Sequence, residues 1–206
     1  MADRLTARGA ATRARIVEAA ADLFFARGVA ETSVDAVLVA SATSKSQLYH
    51  YFADKDDLVL AVIERQTERV LDAQEPQLHE LDTVDGLRRW CDAVVDLQRQ
   101  RQCVGGCPLG SMAAELADAR PARRALAGSF SRWESYLAAG FAAMAERGEL
   151  RAGVEPDDLA TAVMTALQGG LLLTDIVRST RPLELALDMA LAHVDAHRCP
   201  VAERAD

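Results

Sequence analysis

The chain has 206 residues, 50% of them hydrophobic and 26% charged, and a net charge of −8. That composition excludes a disordered chain, and no uninterrupted apolar run of about 18 residues marks a membrane-crossing helix. The acidic balance argues against a surface that is basic throughout, as a chain coated by nucleic acid would need.

A chain of this length forms one or two domains. Its N-terminus, MADRLTARGAATRAR, lacks the apolar core of a signal peptide, which points to a cytoplasmic location. Residues 11–27, ATRARIVEAAADLFFAR, predict a helix with Ile16, Ala20, Leu23 and Phe24 on one face. Gly28 ends it as a C-cap.

The stretch Thr32 to Lys55, TSVDAVLVASATSKSQLYHYFADK, reads as two short helices joined by a tight turn, followed by the start of a third. Thr32 and Ser33 are capping types, Asp35 suits the first turn, and Val34, Val37 and Leu38 follow helical spacing. Ser41-Ala42-Thr43 is the break, and Ser44 is a second N-cap candidate. Leu48 and Phe52, four apart, anchor the second helix to a core, because a helix this short is marginal alone. Its other face presents Lys45, Ser46, Gln47, Tyr49 and His50. Lys45 can neutralise a phosphate, the hydroxyl and imidazole groups can bond phosphate oxygens, and Gln47 can present an amide to adenine. The same pattern also suits a polar helix on a small bundle, and periodicity does not separate the two readings.

Net charge divides unevenly. Residues 1–60 carry seven basic and eight acidic groups, and the remaining acidity lies in residues 61–206. The two lysines of the chain are Lys45 and Lys55. With Arg4, Arg8, Arg13 and Arg15 they can make a local basic surface.

Asp54 can cap the next helix, predicted to run to about Gln74 with Leu58, Val62 and Val70 at helical spacing and Pro76 beyond it. The rest is helical and rich in Ala and Leu. A helix at 85–102 carries Leu87, Cys91, Val94 and Gln98 on one side, with Trp90 beside them; Cys103-Val-Gly-Gly-Cys-Pro breaks it, and a short helix follows at 110–118. Three later helices begin near Pro121, Pro156 and Pro182, since proline suits the first helical turn. The 121–147 helix carries Phe130, Trp133, Leu137, Phe141 and Met144 on one stripe. In the last two helices, 157–175 and 183–196, the residues Leu159, Val163, Leu167, Leu171, Leu187, Leu191 and Val194 exceed what one thin layer can bury, which predicts a four-helix seam between two copies. Gly169-Gly170 suits a close helix approach at that seam.

Ser44-Lys45-Ser46-Gln47-Leu48-Tyr49-His50-Tyr51-Phe52, then Lys55-Asp56-Asp57-Leu58, resembles the signature of the TetR family of bacterial repressors: V/I-S-x-x-x-L-Y-x-Y/H-F, then K-E/D-x-L. Two positions depart from it. Ala42 stands where the family usually has Gly in the turn, and Thr43 where it has an apolar residue. The later stretch CPLGSMAAELADARPARRAL resembles the LmrA/YxaF-like subgroup of multidrug and flavonoid-responsive repressors.

The resemblance implies an all-α homodimer: a three-helix helix-turn-helix head at 1–56 and a helical-bundle body at 57–206 for effector binding and dimerisation. The candidate DNA contacts are Thr32, Ser33, Ser44, Lys45, Ser46, Gln47, Tyr49, His50 and Lys55. The candidate effector site, in a cavity walled by the body's helices, comprises Trp90, Met112, Phe130, Trp133, Phe141, Met144, Gln168 and Leu171. An inward Glu115, Glu134 or Asp175 would favour a cationic lipophile there. The implied partners are a palindromic double-stranded operator, a small lipophilic effector and a second copy, with no membrane. In the implied mechanism the effector shifts the linking helix at 54–74 and separates the two heads.

Cys103 and Cys107 support a rival reading, a thiol-redox regulator that releases DNA on oxidation. Structural disulfides are not expected in a cytosolic protein. The four histidines are scattered, so no metal is expected. No phosphate loop, nucleophile elbow or carboxylate pair marks an enzyme, and no cofactor is implied.

Overall fold

The structure is a computed structural model and describes residues 6–199. The described residues contain nine α-helices: α1 (Ala7–Arg27), α2 (Val34–Ser41), α3 (Lys45–Tyr51), α4 (Lys55–Asp72), α5 (Val84–Gln100), α6 (Pro108–Glu115), α7 (Arg120–Glu146), α8 (Pro156–Val177) and α9 (Arg181–Ala196). A 3-10 turn at Gln77–His79 and one isolated bridge between Leu150 and Arg198 complete the regular structure.

Local signals set most boundaries. α1 starts four residues before the predicted 11–27 span because the Thr6 hydroxyl caps it, accepting from the Gly9 amide. Gly28, at φ 85°, ends it. Asp54 accepts from the Asp57 amide at the head of α4, which stops at Asp72, short of the predicted Gln74. α6 begins at Pro108 instead of residue 110, since proline at the first turn has no amide to leave unsatisfied. Arg4 lies outside the described residues.

The chain packs as two units. The first runs to Val70 and takes in Pro108–Ser129; the second holds Leu71–Cys107 and everything from Phe130. These packing units cut across α4 and α7 and differ from the expected division at 56/57.

In the first unit, Ile16, Ala20, Phe24, Val37, Leu48, Phe52, Leu58 and Val62 form the core. Buried polar groups are matched inside it. The Gln66 amide donates to the Ala21 carbonyl at 3.1 Å, and the Thr67 hydroxyl meets that of Ser129 at 2.7 Å. Glu18 on α1 pairs with Arg65 and Arg69 on α4.

In the second unit, α8 and α9 form a tight hairpin. A Cβ on Gly170 would lie 2.9 Å from the Cα of Leu183, so glycine is what permits this approach. The glycine reading of close approach holds, but the close pair is α8 with α9 of one chain. The seven residues expected to spill into a seam between copies (Leu159, Val163, Leu167, Leu171, Leu187, Leu191 and Val194) are all buried inside the chain. The hairpin, together with α5 against α9, supplies the second layer that the helical pattern alone does not reveal. What stays exposed is a different face: Leu172, Leu173 and Ile176 on α8, and Leu185 and Met189 on α9. By length and composition α8 would pass as a membrane-crossing helix. Its apolar residues divide between the core facing α9 and this exposed stripe.

Candidate nucleic-acid interface

The helix-turn-helix is built by caps. Ser33 caps α2, its hydroxyl accepting from the Ala36 amide at 3.1 Å. At the other end Ala42 takes the left-handed conformation, φ 51° and ψ 45°. The Thr43 amide reaches back to the Leu38 carbonyl at 3.1 Å and the Ala42 amide to that of Val39 at 3.2 Å. This is a Schellman closure with alanine where glycine is usual. The Ser41 hydroxyl, buried, donates to the Val37 carbonyl at 2.7 Å and meets the Thr43 hydroxyl at 2.7 Å. Thr43, in place of an apolar residue, is thus bonded into the turn.

α3 opens with a capping box. The Ser44 hydroxyl accepts from the Gln47 amide at 3.2 Å, while the Ser44 amide donates to Gln47 Oε1 at 2.9 Å. Leu48 and Phe52 are each 1% exposed and seat the helix on the core. The Arg13 guanidinium lies 5.1 Å from the centre of the Phe52 ring. The outward face carries Lys45, Ser46, Gln47, Tyr49 and His50, all exposed. The Lys45 ammonium lies 6.0 Å from the centre of the Tyr49 ring.

The candidate contacts therefore divide. Ser33, Ser44, Lys45, Ser46, Gln47, Tyr49 and His50 lie on exposed surface of the helix-turn-helix. Thr32 does not: it is 1% exposed, and its hydroxyl donates to the Gly28 carbonyl at 2.7 Å. Lys55 is half-buried and its ammonium donates to the Val29 carbonyl at 2.7 Å. It is anchored on the turn between α1 and α2 instead of standing free. Gln47 is exposed, and its Oε1 accepts from the Ser44 amide within the cap.

Two family profiles match the chain. Residues 16–62 match "Bacterial regulatory proteins, tetR family", and residues 83–190 match "Tetracyclin repressor-like, C-terminal domain". The chain belongs to the TetR family. It is similar to an HTH-type transcriptional regulator of the lacX 3' region of Lactococcus lactis, 27% identical over 187 residues that cover 86% of this chain and 90% of the relative. It is also similar to the HTH-type transcriptional regulator YxaF of Bacillus subtilis, 25% identical over 185 residues, 88% of this chain and 93% of that one. Among solved structures, a TetR transcriptional regulator from Chloroflexus aurantiacus aligns with a TM-score of 0.77 at 27% identity, covering 94% of this chain and 98% of that one. This TetR-family protein is thus a helix-turn-helix transcriptional regulator.

The residues named for the effector divide between the two units. Met112 belongs to the first unit and the other seven to the second. Trp90 is fully buried, and its indole N–H is satisfied by Gln74 Oε1 at 2.9 Å. Trp133, Phe141 and Met144 share the buried side of α7, Phe130 is half-buried, and Leu171 is core on α8. Two of the named residues stand out: the Trp133 Nε1 and the Gln168 Nε2 are buried donors with no hydrogen-bond partner. Gln98 Oε1 on α5 and Thr174 Oγ1 on α8 are buried in the same unit and likewise unpartnered. The sequence signal for Gln98 was a polar residue on an apolar helix face; Thr174 carried none. An open groove of about 640 Å3 between α5 and α9, floored by Cys91, Val95 and Leu187, holds none of the eight named residues.

The three carboxylates named as favouring a cation each accept a hydrogen bond within the fold. Glu115 accepts from the Ala30 amide, Glu134 accepts from the Thr161 hydroxyl, and Asp175 accepts from the Gly105 amide and pairs with Arg178.

Cys103 and Cys107 are both buried, and their loop is strapped to α8: the Gly105 amide donates to Asp175 at 2.7 Å, and Arg178 donates to the Cys103 carbonyl at 2.9 Å. Burial pushes the Cys91 thiol up to about 12, with Asp92 adding to the shift. Among the described residues, no cluster of three or more His, Cys, Asp or Glu is placed to hold a metal.

Proposed function

We propose that the protein is a homodimeric repressor that grips a palindromic operator and leaves it when a small lipophilic molecule binds the second unit. The observation that carries this reading is α3: a helix seated by Leu48 and Phe52, opened by a capping box, with an outward face of exposed Lys45, Ser46, Tyr49 and His50. Such a face supplies donors for phosphates and for base edges in a major groove. Two heads brought about 34–36 Å apart meet successive turns of one face of a duplex.

The second copy is argued from the exposed stripe. Leu172, Leu173, Ile176, Leu185 and Met189 put five large apolar side chains in water on neighbouring helices, which a lone molecule seldom tolerates. An isologous pairing of α8 and α9 with their partner equivalents covers them.

The effector is argued from the unpartnered atoms. A buried donor left without an acceptor costs about 1–3 kcal/mol, so Trp133 Nε1 and Gln168 Nε2 suit a ligand that brings acceptor oxygens. Neither of these donors calls for a charge on the ligand, so an uncharged lipophile with acceptor oxygens is the effector proposed. Binding coupled to DNA release by about 1–3 kcal/mol is enough for a switch of this kind.

Selection of a binding site from random duplexes, followed by titration in fluorescence anisotropy, tests the regulator. A palindromic motif bound in the nanomolar range is expected, and no enriched motif would refute it. Titration of tryptophan fluorescence with uncharged, cationic and anionic aromatic dyes tests the effector. Quenching by the uncharged dye that is lost in Trp133→Phe and accompanied by release of DNA is expected. Release of DNA by diamide alone, lost in Cys103→Ser, would favour the thiol reading instead.

A further inference from the structure

We infer that Lys45 selects a guanine in each half of the operator. The inference rests on the proposed DNA-binding function and goes past it to the base that is read. Two side chains on the first turn of α3 carry groups long enough to reach base edges, Lys45 and Gln47, and the structure treats them differently.

Gln47 is half consumed. Its Oε1 accepts from the Ser44 amide at 2.9 Å, and this bond is one arm of the box that holds the helix start. Adenine is read at two points, its N6 amino group donating to the amide oxygen while its N7 accepts from the amide nitrogen. The oxygen keeps its second lone pair, but the side chain is tied to the helix start and is less free to turn both of its groups toward one base. Breaking the cap to free it would cost about 1 kcal/mol of helix stability before any contact is made.

Lys45 is unencumbered. It is exposed, and among the described residues no carboxylate pairs with it. Its ammonium sits 6.0 Å from the centre of the Tyr49 ring one turn later, so the ring face holds the charge on the outward side of α3. An ammonium has three donors and no acceptor. Guanine presents two adjacent acceptors, O6 and N7, in the major groove; adenine replaces one of them with an amino donor, and cytosine offers a donor. An all-donor group on the leading turn therefore favours guanine over adenine.

The test is selection from random duplexes with the full-length wild type, Lys45→Ala, Lys45→Arg and Gln47→Ala. The wild type is expected to enrich a guanine at one position per half-site. Lys45→Ala should relax that column and leave the others, and Lys45→Arg, which also donates to O6 and N7, should restore it. Replacing that guanine by 7-deazaguanine, which lacks the N7 acceptor, should weaken the wild type about tenfold and leave Lys45→Ala unaffected. Because Lys45 is exposed, its variants keep the wild-type thermal midpoint, and a circular dichroism melt confirms that each is folded. A clear motif whose columns are all unmoved by Lys45→Ala overturns the inference while leaving the regulator intact. So does a guanine column that relaxes in Gln47→Ala and not in Lys45→Ala. Absence of any motif overturns both.

Discussion

The Glu115 carboxylate accepts a hydrogen bond from the Ala30 amide at 3.0 Å, joining two positions 85 residues apart. A Cβ added at Gly28 would lie 2.7 Å from the same carboxylate. The turn between α1 and α2 is held by this bond, by Thr32 on the Gly28 carbonyl and by Lys55 on the Val29 carbonyl. The last residue of α6 therefore helps set where α2 begins. Glu115→Ala should speed exchange of the Ala30 amide and lower stability by about 1 kcal/mol, as expected for a solvent-accessible bond to a charged acceptor. Unchanged exchange at Ala30 would show that the clamp is not formed in solution.

Lys55 and Lys45 should separate cleanly. Lys55→Ala removes a half-buried bond from an ammonium to a carbonyl, at a cost of about 1–2 kcal/mol. Lys45→Ala removes an exposed group and should leave stability unchanged. Urea unfolding of both variants provides the comparison; equal midpoints would mean that Lys55 stands free.

Ala42 holds a left-handed conformation that costs a residue with a Cβ about 1–2 kcal/mol. Ala42→Gly removes that strain and gives back part of the gain as unfolded-chain entropy. The expected result is a stability increase of about 0.5 kcal/mol. Ala42→Val, more bulky at a positive φ, should lose more than it gains. A loss in Ala42→Gly would show that the turn is not strained.

Burial pulls the Glu18 carboxyl upward, but hydrogen bonds from Arg65 and Arg69 outweigh it and hold it below its ordinary value of 4.5. A group depressed in the folded state stabilises it above the unfolded value and loses that contribution as pH falls through the folded value. Wild type should therefore exceed Glu18→Gln in stability at neutral pH, and the gap should close as pH falls below the ordinary value of 4.5 and through the lowered folded one. The gap itself is small, under about 1 kcal/mol, because the pair is partly open to solvent. A gap that widens on acidification would contradict the sign.

The exposed stripe yields the last expectation. Ile176→Glu places a charge at its centre without touching the core, so each chain should still fold. Sedimentation should find dimers for wild type and monomers for this variant. Leu167→Glu, which buries a charge inside the hairpin, should fail to fold instead. Dimers that survive Ile176→Glu would place the seam elsewhere.

The sequence by itself determined the kind of structure and its punctuation. Helical spacing of Ile16, Leu48 and Phe52, the caps at Ser33, Ser44 and Asp54, and Gly28 after α1 are local, and local rules read them. The recognition-helix motif was legible for the same reason, since its residues lie within about ten positions of one another.

Tertiary structure decided everything that depends on distant partners. Whether Leu167 and Leu171 face a second copy or α9 turns on how closely two helices approach, and Gly170 sets that approach. Whether Lys55 is free depends on a carbonyl 26 residues away, and what the Glu115 carboxylate bonds is an amide 85 residues away. The tie on Gln47 is of a different kind: its partner, the Ser44 amide, is three residues off. Side-chain type announces which chemistry is possible at a position; the neighbour that folding delivers uses that chemistry or leaves it free.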